Sequence, residues 1–303
     1  MSQLRIAVIG SSGMLGQELV RFCTKRDMDL HSYRGCESLD VTNSDAVSKA
    51  IRGFDVVINS SGYTDVDGAE SDSESAMNVN QRGPKNLAKA CLENNALLVH
   101  YSTDYIFNGA SIAAHRIDDE PGPCNIYGLS KLAGEKAIRE TGCKHLIIRT
   151  SWLFAAHSKN FVRTIFRESQ IRDTLKVVSD QVGRPTLCCD LAEQTLSLLA
   201  SSAHGTFHVT NGGSCSWYEF AKEIISLMGN NCIVQPCKTS DFPRPAARPG
   251  NGVLDLGETI KLIGKPRDWN IALRDCMKEL INESKMNEGD STITPKHSIS
   301  KNA

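Results

Sequence analysis

LRIAVIGSSGMLG, residues 4–16, is the stretch of this 303-residue chain that decides its fold. An apolar strand-like run is followed at once by Gly10, Gly13 and Gly16, and then by Leu15–Cys23, whose apolar residues recur at helical spacing. Glycines at such a turn allow a tight reversal, a close backbone approach to a pyrophosphate and close helix packing. The stretch therefore predicts the first strand, loop and helix of a dinucleotide-binding sheet.

The same alternation of short apolar runs and longer helical periods continues to about residue 150, which predicts a Rossmann-like, doubly wound parallel α/β sheet. The second predicted helix is Gly83–Glu93. The predicted strands are Leu4–Ile9, Leu30–Tyr33, Phe54–Asn59, Leu97–Tyr101 and His145–Arg149.

Beyond Thr150 the rhythm loosens, and Pro and Gly cluster at 183–185 and 242–250, which favours a smaller, discontinuous α/β substrate domain. A predicted helix at Asp190–Ala200 and a strand at Thr206–Thr210 return the chain to the sheet. The last residues carry too few apolar side chains to offset the entropy of ordering. The predicted parts are 1–150 plus about 187–230 for the dinucleotide, about 151–186 plus 231–283 for the substrate, and a disordered tail at 284–303.

The composition argues against several classes of partner. The chain has 34 Lys plus Arg against 35 Asp plus Glu, a formal charge of −1, so no nucleic-acid partner is expected. Its apolar runs are far shorter than the ~20 residues of a membrane helix. The start Met1–Ile6 lacks the features of a signal peptide, and we expect a cytoplasmic protein that does not bind membranes. The eleven cysteines are scattered without zinc-site spacing, which predicts reduced thiols and no metal.

The end of the second strand usually decides between NAD and NADP. An acid there binds the free ribose hydroxyl, whereas an arginine accommodates the phosphate. The predicted strand ends at Tyr33 and is followed by Arg34, which favours NADPH, although Arg34 could equally be an ordinary surface residue. Asp40 is better placed for the adenine than for the ribose, and its alternative role is a helix cap.

Tyr127 and Lys131 stand four residues apart in a predicted helix, so their side chains share one face. A phenol with a pKa of ~10 needs a fall of ~3 units, or ~4 kcal/mol, to exchange protons near neutrality. One ammonium at ~4 Å in an effective dielectric of ~20 supplies ~4 kcal/mol. The spacing therefore predicts an acid, Tyr127, with Lys131 lowering its pKa.

A third signal precedes this pair. The apolar strand that begins at Leu97 ends in Ser102 and Thr103, and ligands of open α/β sheets bind at the carboxyl ends of strands. A hydroxyl at that place can hold a carbonyl oxygen in line with a tyrosine. Three signals in this order predict one reductase site.

In this combination the chain resembles the extended short-chain dehydrogenase/reductase superfamily, and within it the dTDP-4-dehydrorhamnose reductase family. The resemblance extends to about residue 283. It is carried by the stretches Val99–Phe107, Asn125–Lys136, Arg149–Trp152, Asp180–Thr186, Arg248–Pro249 and Leu254–Asp255.

The glycine loop and Arg34, together with the resemblance, give two sets of candidate site residues. On the cofactor side these are Gly10, Gly13, Met14, Leu15, Gly16, Arg34, Asp40, Val41, Ser61, Gly62, Tyr63, Tyr101, Tyr127 and Lys131. On the substrate side they are Thr103 and Asp104 facing the sugar, Trp152 packing on it, and Arg184 and Arg248 pairing with the nucleotide diphosphate. Thr103 is also the third candidate catalytic residue, after Tyr127 and Lys131.

The resemblance also bears on the reaction and on metal. Related dehydratases carry an acid after the Thr-Asp pair, where this chain has Tyr105, so simple reduction is expected. Some relatives hold magnesium through glutamates at a dimer contact. Glu18 and Glu279 match two of those positions, whereas Cys189 stands at the third, which leaves both magnesium and a homodimer open.

Three functions follow as alternatives. The first is reduction of the C4 keto group of dTDP-4-dehydrorhamnose with NADPH or NADH. The second is a non-catalytic NADP-binding subunit resembling the β subunit of methionine adenosyltransferase, whose partner would be the catalytic subunit of that synthetase. The third is reduction or epimerisation of another nucleotide sugar.

Overall fold

The computed structural model describes the backbone of residues 4–290 and the side chains of residues 4–284. Its centre is a parallel six-stranded sheet with the strand order β10-β5-β4-β3-β1-β2. These strands are β1 (Arg5–Ile9), β2 (Asp29–Tyr33), β3 (Val56–Asn59), β4 (Leu97–Thr103), β5 (His145–Thr150) and β10 (Gly205–His208). The predicted sheet and all five of its predicted strands in the first half are confirmed, with ends that differ by two residues at most.

Helices cover both faces of the sheet, because the side chains on both sides of its central strands are buried. One face packs on α1 (Met14–Lys25) and α8 (Cys188–Ala200). The other packs on α2 (Ser44–Ala50), α5 (Gly83–Glu93) and α6 (Ile126–Thr141). The short helices α3 (Gly68–Ser71) and α4 (Ser73–Met77) and a π-helical segment at Asn78–Arg82 lead into α5.

A second hydrophobic core lies beside the sheet. It is built from α7 (Phe161–Glu168), α9 (Trp217–Met228), α11 (Trp269–Asp290) and the strand pair β7 (Thr174–Val178) and β12 (Ile233–Cys237). The remaining elements are β6 (Leu153–Phe154), β8 (Val182–Gly183), β9 (Thr186–Leu187), β11 (Cys215–Ser216) and α10 (Gly257–Ile263).

The two hydrophobic cores indicate where the dinucleotide-binding part and the substrate-binding part of the chain divide. Helix α9 packs in the second core through Phe220 and Ile224, although the sequence places residues 187–230 with the dinucleotide-binding part. The apolar stripe of α9 is buried against β7 and β12, a tertiary contact that no local pattern reveals. We propose that the return to the sheet ends shortly after β10.

The predicted tail at 284–303 overlaps the end of α11, which continues as a helix to Asp290. The rest of the predicted tail, residues 291–303, lies outside the described residues. Within residues 4–290, no helix has the length and hydrophobicity needed to cross a bilayer.

The strand order changes direction between β1 and β3. The chain runs from β1 outward to β2 and then returns to the other side of β1 to form β3. In open α/β sheets the crevice at the carboxyl ends of the strands beside such a point binds the ligand. The loops after β1, β3 and β4 therefore form the place to look for a site.

Candidate active site

The glycine loop after β1 has no room for a side chain at Gly10 or Gly16. Gly10 has φ of +75°, and a Cβ there would lie 2.7 Å from the backbone nitrogen of Ser61 in the loop after β3. A Cβ on Gly16 would overlap the carbonyl oxygen of Gly10. Gly13 immediately precedes Met14 and Leu15 in the first turn of α1, whose N–H groups favour an anion. This cradle fits the pyrophosphate of a dinucleotide.

The end of β2 is tied to the glycine loop. The backbone N–H of Ser11 donates to the carbonyl oxygen of Tyr33 over 2.9 Å, and the N–H and hydroxyl of Ser12 both donate to the carbonyl oxygen of Arg34. The backbone of Arg34 is therefore tied to the glycine loop. The Arg34 side chain is exposed.

Asp40 and Val41 lie farther along the same loop. The Asp40 carboxylate accepts from the N–H (2.9 Å) and the hydroxyl (2.8 Å) of Thr42, so it closes a turn. The α2 cap is instead Asn43, which accepts from two backbone N–H groups. Val41 is buried against Gly83.

The loop after β3 is held by Asn80, a residue that sequence reasoning missed. The Asn80 amide accepts from the N–H of Tyr63 (2.9 Å) and donates to the carbonyl of Tyr63 (3.0 Å) and to the Ser130 hydroxyl (3.0 Å). A Cβ on Gly62 would lie 3.3 Å from Asn80 Oδ1 and 4.0 Å from Lys131 Nζ. Asn80 lies in the π-helical segment, and neither its spacing nor its neighbours indicate this role.

Helix α6 carries the predicted Tyr-Lys pair. Its cap is Asn125, whose Oδ1 accepts from the N–H of Gly128 over 2.7 Å. Lys131 is buried, and its ammonium donates to the carbonyl oxygen of Tyr101 over 2.5 Å. Burial lowers the pKa of Lys131 to about 8, against an upward pull from the Glu135 carboxylate one turn farther along.

Tyr101 itself faces away from this pair. Its phenol hydroxyl lies 2.9 Å from the hydroxyl of Thr195 on α8, at the opposite face of the sheet. Only the backbone carbonyl of Tyr101, and not its side chain, therefore lies on the side that the resemblance assigns to the cofactor. Side chains alternate along a strand, so the residue that presents its carbonyl to Lys131 turns its ring into the core.

The pKa of Tyr127 is not lowered as the sequence predicts. Burial raises it to about 12, a hydrogen bond with Thr103 pulls it down, and the charge of Asp104 pushes it up. The phenol thus remains protonated at neutral pH and is suited to donate a proton. Its ring packs edge-on against Tyr105, with 5.8 Å between the ring centroids.

Thr103 and Asp104 follow at the end of β4. The Thr103 hydroxyl donates to Asp104 Oδ1 over 3.1 Å and accepts from the N–H of Tyr105 over 3.2 Å. Asp104 is buried, and its Oδ2 has no hydrogen-bond partner among the described residues. Burial raises the pKa of Asp104 to about 7. Together with Tyr127, these groups place two hydroxyls and a carboxyl side by side.

A cavity of about 570 Å³ opens beside Tyr105. Three of its lining residues, Lys176, Arg244 and Arg248, are cations, and none of the lining residues is an acid. Aromatic rings supply the apolar wall, among them Phe161, Trp217 and Phe242. A cationic cavity with an aromatic wall suits a ligand that combines a diphosphate with a sugar or a base.

Two implied substrate residues lie elsewhere. The Arg184 guanidinium donates to the carbonyl oxygens of Leu254 (2.9 Å) and Gly213 (2.6 Å), so it ties loops together and does not line the cavity. The Trp152 ring is stacked on Trp217 with 3.5 Å between centroids, and Gly183 lies on it. It is Trp217 that lines the cavity, and Trp152 supports it from behind.

The positions implied for magnesium form no site in the described part of the chain. Within residues 4–284, no group of three or more His, Cys, Asp or Glu side chains is arranged to hold a metal ion. Glu18 contacts Arg21 over 2.7 Å and lies 3.5 Å from a ring nitrogen of His157. Cys189 is close to Asp190, with 3.5 Å between its sulfur and the carboxylate.

The parallel sheet with its glycine cradle, and the Tyr-Lys helix beside the hydroxyls of β4, define a Rossmann-fold reductase of the extended short-chain dehydrogenase/reductase class. The family model described as the RmlD substrate binding domain matches residues 4–282. The chain belongs to this family, that of the dTDP-4-dehydrorhamnose reductases, which confirms the resemblance drawn from the sequence.

Individual relatives agree with this assignment. The chain is 38% identical over 289 residues to a dTDP-4-dehydrorhamnose reductase of Streptomyces griseus, covering 91% of this chain and 94% of the relative. A crystal structure of a dTDP-4-dehydrorhamnose reductase from Clostridium acetobutylicum is similar with a TM-score of 0.89 and 38% identity, covering 92% of this chain and all of that one. The Bacillus anthracis enzyme in complex with NADP is similar with a TM-score of 0.87 and 34% identity, over 93% of this chain and 100% of that one.

Proposed function

We propose that this protein reduces the C4 keto group of dTDP-4-dehydrorhamnose to give dTDP-L-rhamnose, with NADPH or NADH as the cofactor. The observation that carries the proposal is the grouping at the end of β4, where Tyr127 is hydrogen-bonded to Thr103 and Lys131 donates to the carbonyl of Tyr101. Tyr105, whose ring packs on Tyr127, connects this grouping to the cationic cavity that it lines. The names of the relatives that cover nearly all of this chain support the choice of substrate.

The glycine cradle fits the cofactor, because Gly10 and Gly16 leave space that a side chain would fill. Gly13, Met14 and Leu15 would hold the phosphates, Asp40 and Val41 the adenine, and Ser61, Gly62 and Tyr63 the part nearer Lys131. When bound, the reduced nicotinamide supplies the hydride that reaches C4 of the sugar.

The chain's own groups then handle the proton. Hydride addition leaves negative charge on the C4 oxygen, and Tyr127, which burial keeps protonated, donates its phenolic proton to that oxygen. Thr103 hydrogen-bonds the same oxygen and orients it. The Lys131 ammonium stabilises the phenolate that Tyr127 becomes and binds the ribose next to the nicotinamide.

Tyr105 favours reduction over elimination. Dehydration of a nucleotide sugar needs an acid that removes the elements of water, and the side chain after Asp104 is a phenol packed against Tyr127. Burial raises the pKa of Tyr105 well above its usual value, so its phenol is a far weaker acid than the carboxyl that the dehydratases carry there.

Turnover of a defined sugar tests the proposal. Purified protein should oxidise NADPH or NADH when dTDP-4-dehydrorhamnose is added, and Tyr127→Phe should lower kcat by roughly 10²–10⁴-fold while the protein still binds NADP through the glycine cradle. Leu129→Ala, an exposed position on the same helix, is the matched control. Full activity of Tyr127→Phe would contradict the assigned acid. No cofactor oxidation, combined with recovery of a stoichiometric synthetase in a pull-down, would favour the regulatory subunit instead.

The homodimer and the cytoplasmic location stay predictions. Light scattering of the purified protein and fractionation of cells would test them.

A further inference from the structure

A strap formed by residues 242–250 borders the cavity and joins it to the first half of the chain. The carbonyl of Ala247 accepts from the side-chain amide of Asn125 over 2.8 Å, and Asn125 also caps helix α6. The backbone N–H of Ala246 donates to Asp67 Oδ1 over 3.2 Å. The strap therefore rests on the cap of the Tyr127 helix and on a carboxylate in the loop after β3.

Asp67 holds both arginines of the strap with one oxygen. Its Oδ2 lies 2.9 Å from Arg248 Nη2 and 3.2 Å from Arg244 Nη1. Arg248 is the better buried of the two, with 14% of its side chain exposed against 61% for Arg244. Its second nitrogen donates to the carbonyl of Ala246 over 2.8 Å, so two bonds fix its plane.

The charge balance explains why a carboxylate is needed there. Two guanidinium groups that contact the same carboxylate oxygen are close enough to repel each other. Burial works against the charge of Asp67, but the hydrogen bonds from Arg248 and from Ala246 hold the pKa of Asp67 below its usual range. Asp67 therefore remains an anion at neutral pH and offsets the repulsion.

The remaining donors of the arginines are what a ligand can use. A guanidinium has five N–H donors, and the protein contacts of Arg248 use two of its nitrogens for Asp67 and Ala246. Both arginines line the cavity, whereas Asp67 does not. The carboxylate thus binds the arginines without itself lining the cavity, and the remaining N–H groups of the arginines are available to a ligand there.

Resting on the function proposed above, we propose that Asp67 is a positioning residue for substrate binding. It holds Arg248 and Arg244 together on the strap so that both present their free donors to the diphosphate of the nucleotide sugar. It contacts neither the sugar ring nor the reacting oxygen, so it acts on affinity and not on the chemical step.

The test compares Asp67→Asn with the wild-type protein, using dTDP as the binding probe. We expect the Kd for dTDP in titration calorimetry, and the KM for the keto sugar, to rise by about tenfold or more, because the arginines lose their shared anion. The value of kcat should change by less than about threefold, and the Kd for NADP should stay the same. Asp67→Glu, which restores the charge, should recover most of the affinity.

Asp72→Asn is the matched control. It removes one negative charge from the same loop region, and its amide oxygen can still accept from Ser75, as the Asp72 carboxylate does in capping α4. It should leave the affinity for dTDP unchanged. Thermal unfolding of each variant verifies that it is folded.

A double-mutant cycle with Arg248→Ala identifies the route of the effect. If Asp67 acts through the arginines, the double variant loses less affinity for dTDP than the two single losses combined, and any further loss beyond Arg248→Ala is the part that Arg244 carries. Unchanged or tighter binding by Asp67→Asn, or fully additive losses, would overturn the inference. Failure of the wild-type protein to turn over the sugar would instead remove the proposed reaction, and dTDP binding would still test Asp67.

Discussion

The ammonium of Lys131 lies 2.5 Å from the carbonyl oxygen of Tyr101 and ties helix α6 to the end of strand β4. One of the three ammonium protons is used in this bond, which leaves two for the proposed contacts with the cofactor ribose and Tyr127. The main chain of β4 thereby sets the position of the charge, and the Tyr101 ring takes no part in it. The bond therefore fixes the buried Lys131 side chain relative to the end of β4.

The fall of kcat at alkaline pH should report the loss of the positive charge on Lys131. Its pKa of about 8 means that the ammonium is charged below that pH and loses its charge above it. We expect kcat to fall as the pH rises through about 8. Lys131→Arg, whose charge persists, should abolish this fall even though its rate is lower. A wild-type kcat that stays constant well above pH 8, measured with saturating cofactor, would contradict a catalytic charge on Lys131.

Gly16→Ala should weaken cofactor binding. The new Cβ would overlap the carbonyl oxygen of Gly10 and push α1 away from the loop. We expect the Kd for NADP to rise by at least about tenfold, because even a displacement of ~1 Å disrupts a positioned site. Gly122→Ala is the control, since its Cβ would meet neighbours no closer than 3.6 Å. Equal NADP affinity in the two variants would show that the cradle is not the phosphate site.

Arg34→Ala should change the choice of cofactor. Its exposed guanidinium stands at the end of β2, where a 2′-phosphate would pair with it. The KM for NADPH should rise by about tenfold while that for NADH stays nearly constant, as measured by initial rates with each cofactor. Arg52→Ala, another exposed arginine, should change neither. An equal effect on both cofactors would mean that Arg34 does not recognise the phosphate.

Asp104 should make stability depend on pH. Its folded pKa is about 7 and its unfolded value ~3.9, so the folded state binds more protons between these limits. The free energy of unfolding therefore falls as the pH rises from ~4 to ~7, by up to about 4 kcal/mol from this group. Denaturant unfolding of Asp104→Asn should show a smaller decline over that range than the wild-type protein. Parallel pH profiles for the two proteins would contradict a buried carboxyl with a raised pKa.

Breaking the buried ion pair of Glu135 and Arg149 should destabilise the protein. The two groups are buried and joined by two hydrogen bonds of 3.0 and 2.9 Å. Glu135 lies one turn beyond Lys131 on α6, and Arg149 lies on β5. Glu135→Gln should cost about 3–5 kcal/mol of unfolding free energy, because it leaves the Arg149 charge buried and uncompensated. The double variant with Arg149→Met should lose less than the sum of the single variants. Glu140→Gln, at an exposed position on the same helix, should have little effect.

Much of the fold follows from local patterns. The strands β1 to β5, the glycine loop and the helix α5 are predicted within two residues of their ends, because strands buried on both faces appear as short apolar runs and helices show a period of 3.6. The Tyr-Lys pair is likewise a local feature, since four residues make one helical turn. The glycine cradle is also a local feature, because its three glycines directly follow β1 in the chain.

The tertiary structure decided what those local features contact. Asp67 and Arg248 pair although they are 181 positions apart in the chain, and nothing periodic links them. Trp217 lines the cavity in front of Trp152, and Arg184 binds backbone carbonyls, because these positions depend on how the second core packs beside the sheet. The pKa of Tyr127 also depends on burial, which outweighs one lysine and which no spacing reveals. By itself the sequence determined the sheet, the cofactor loop and the candidate acid, because short-range patterns encode them. The cavity and its charges depend on long-range contacts that only the folded chain brings together.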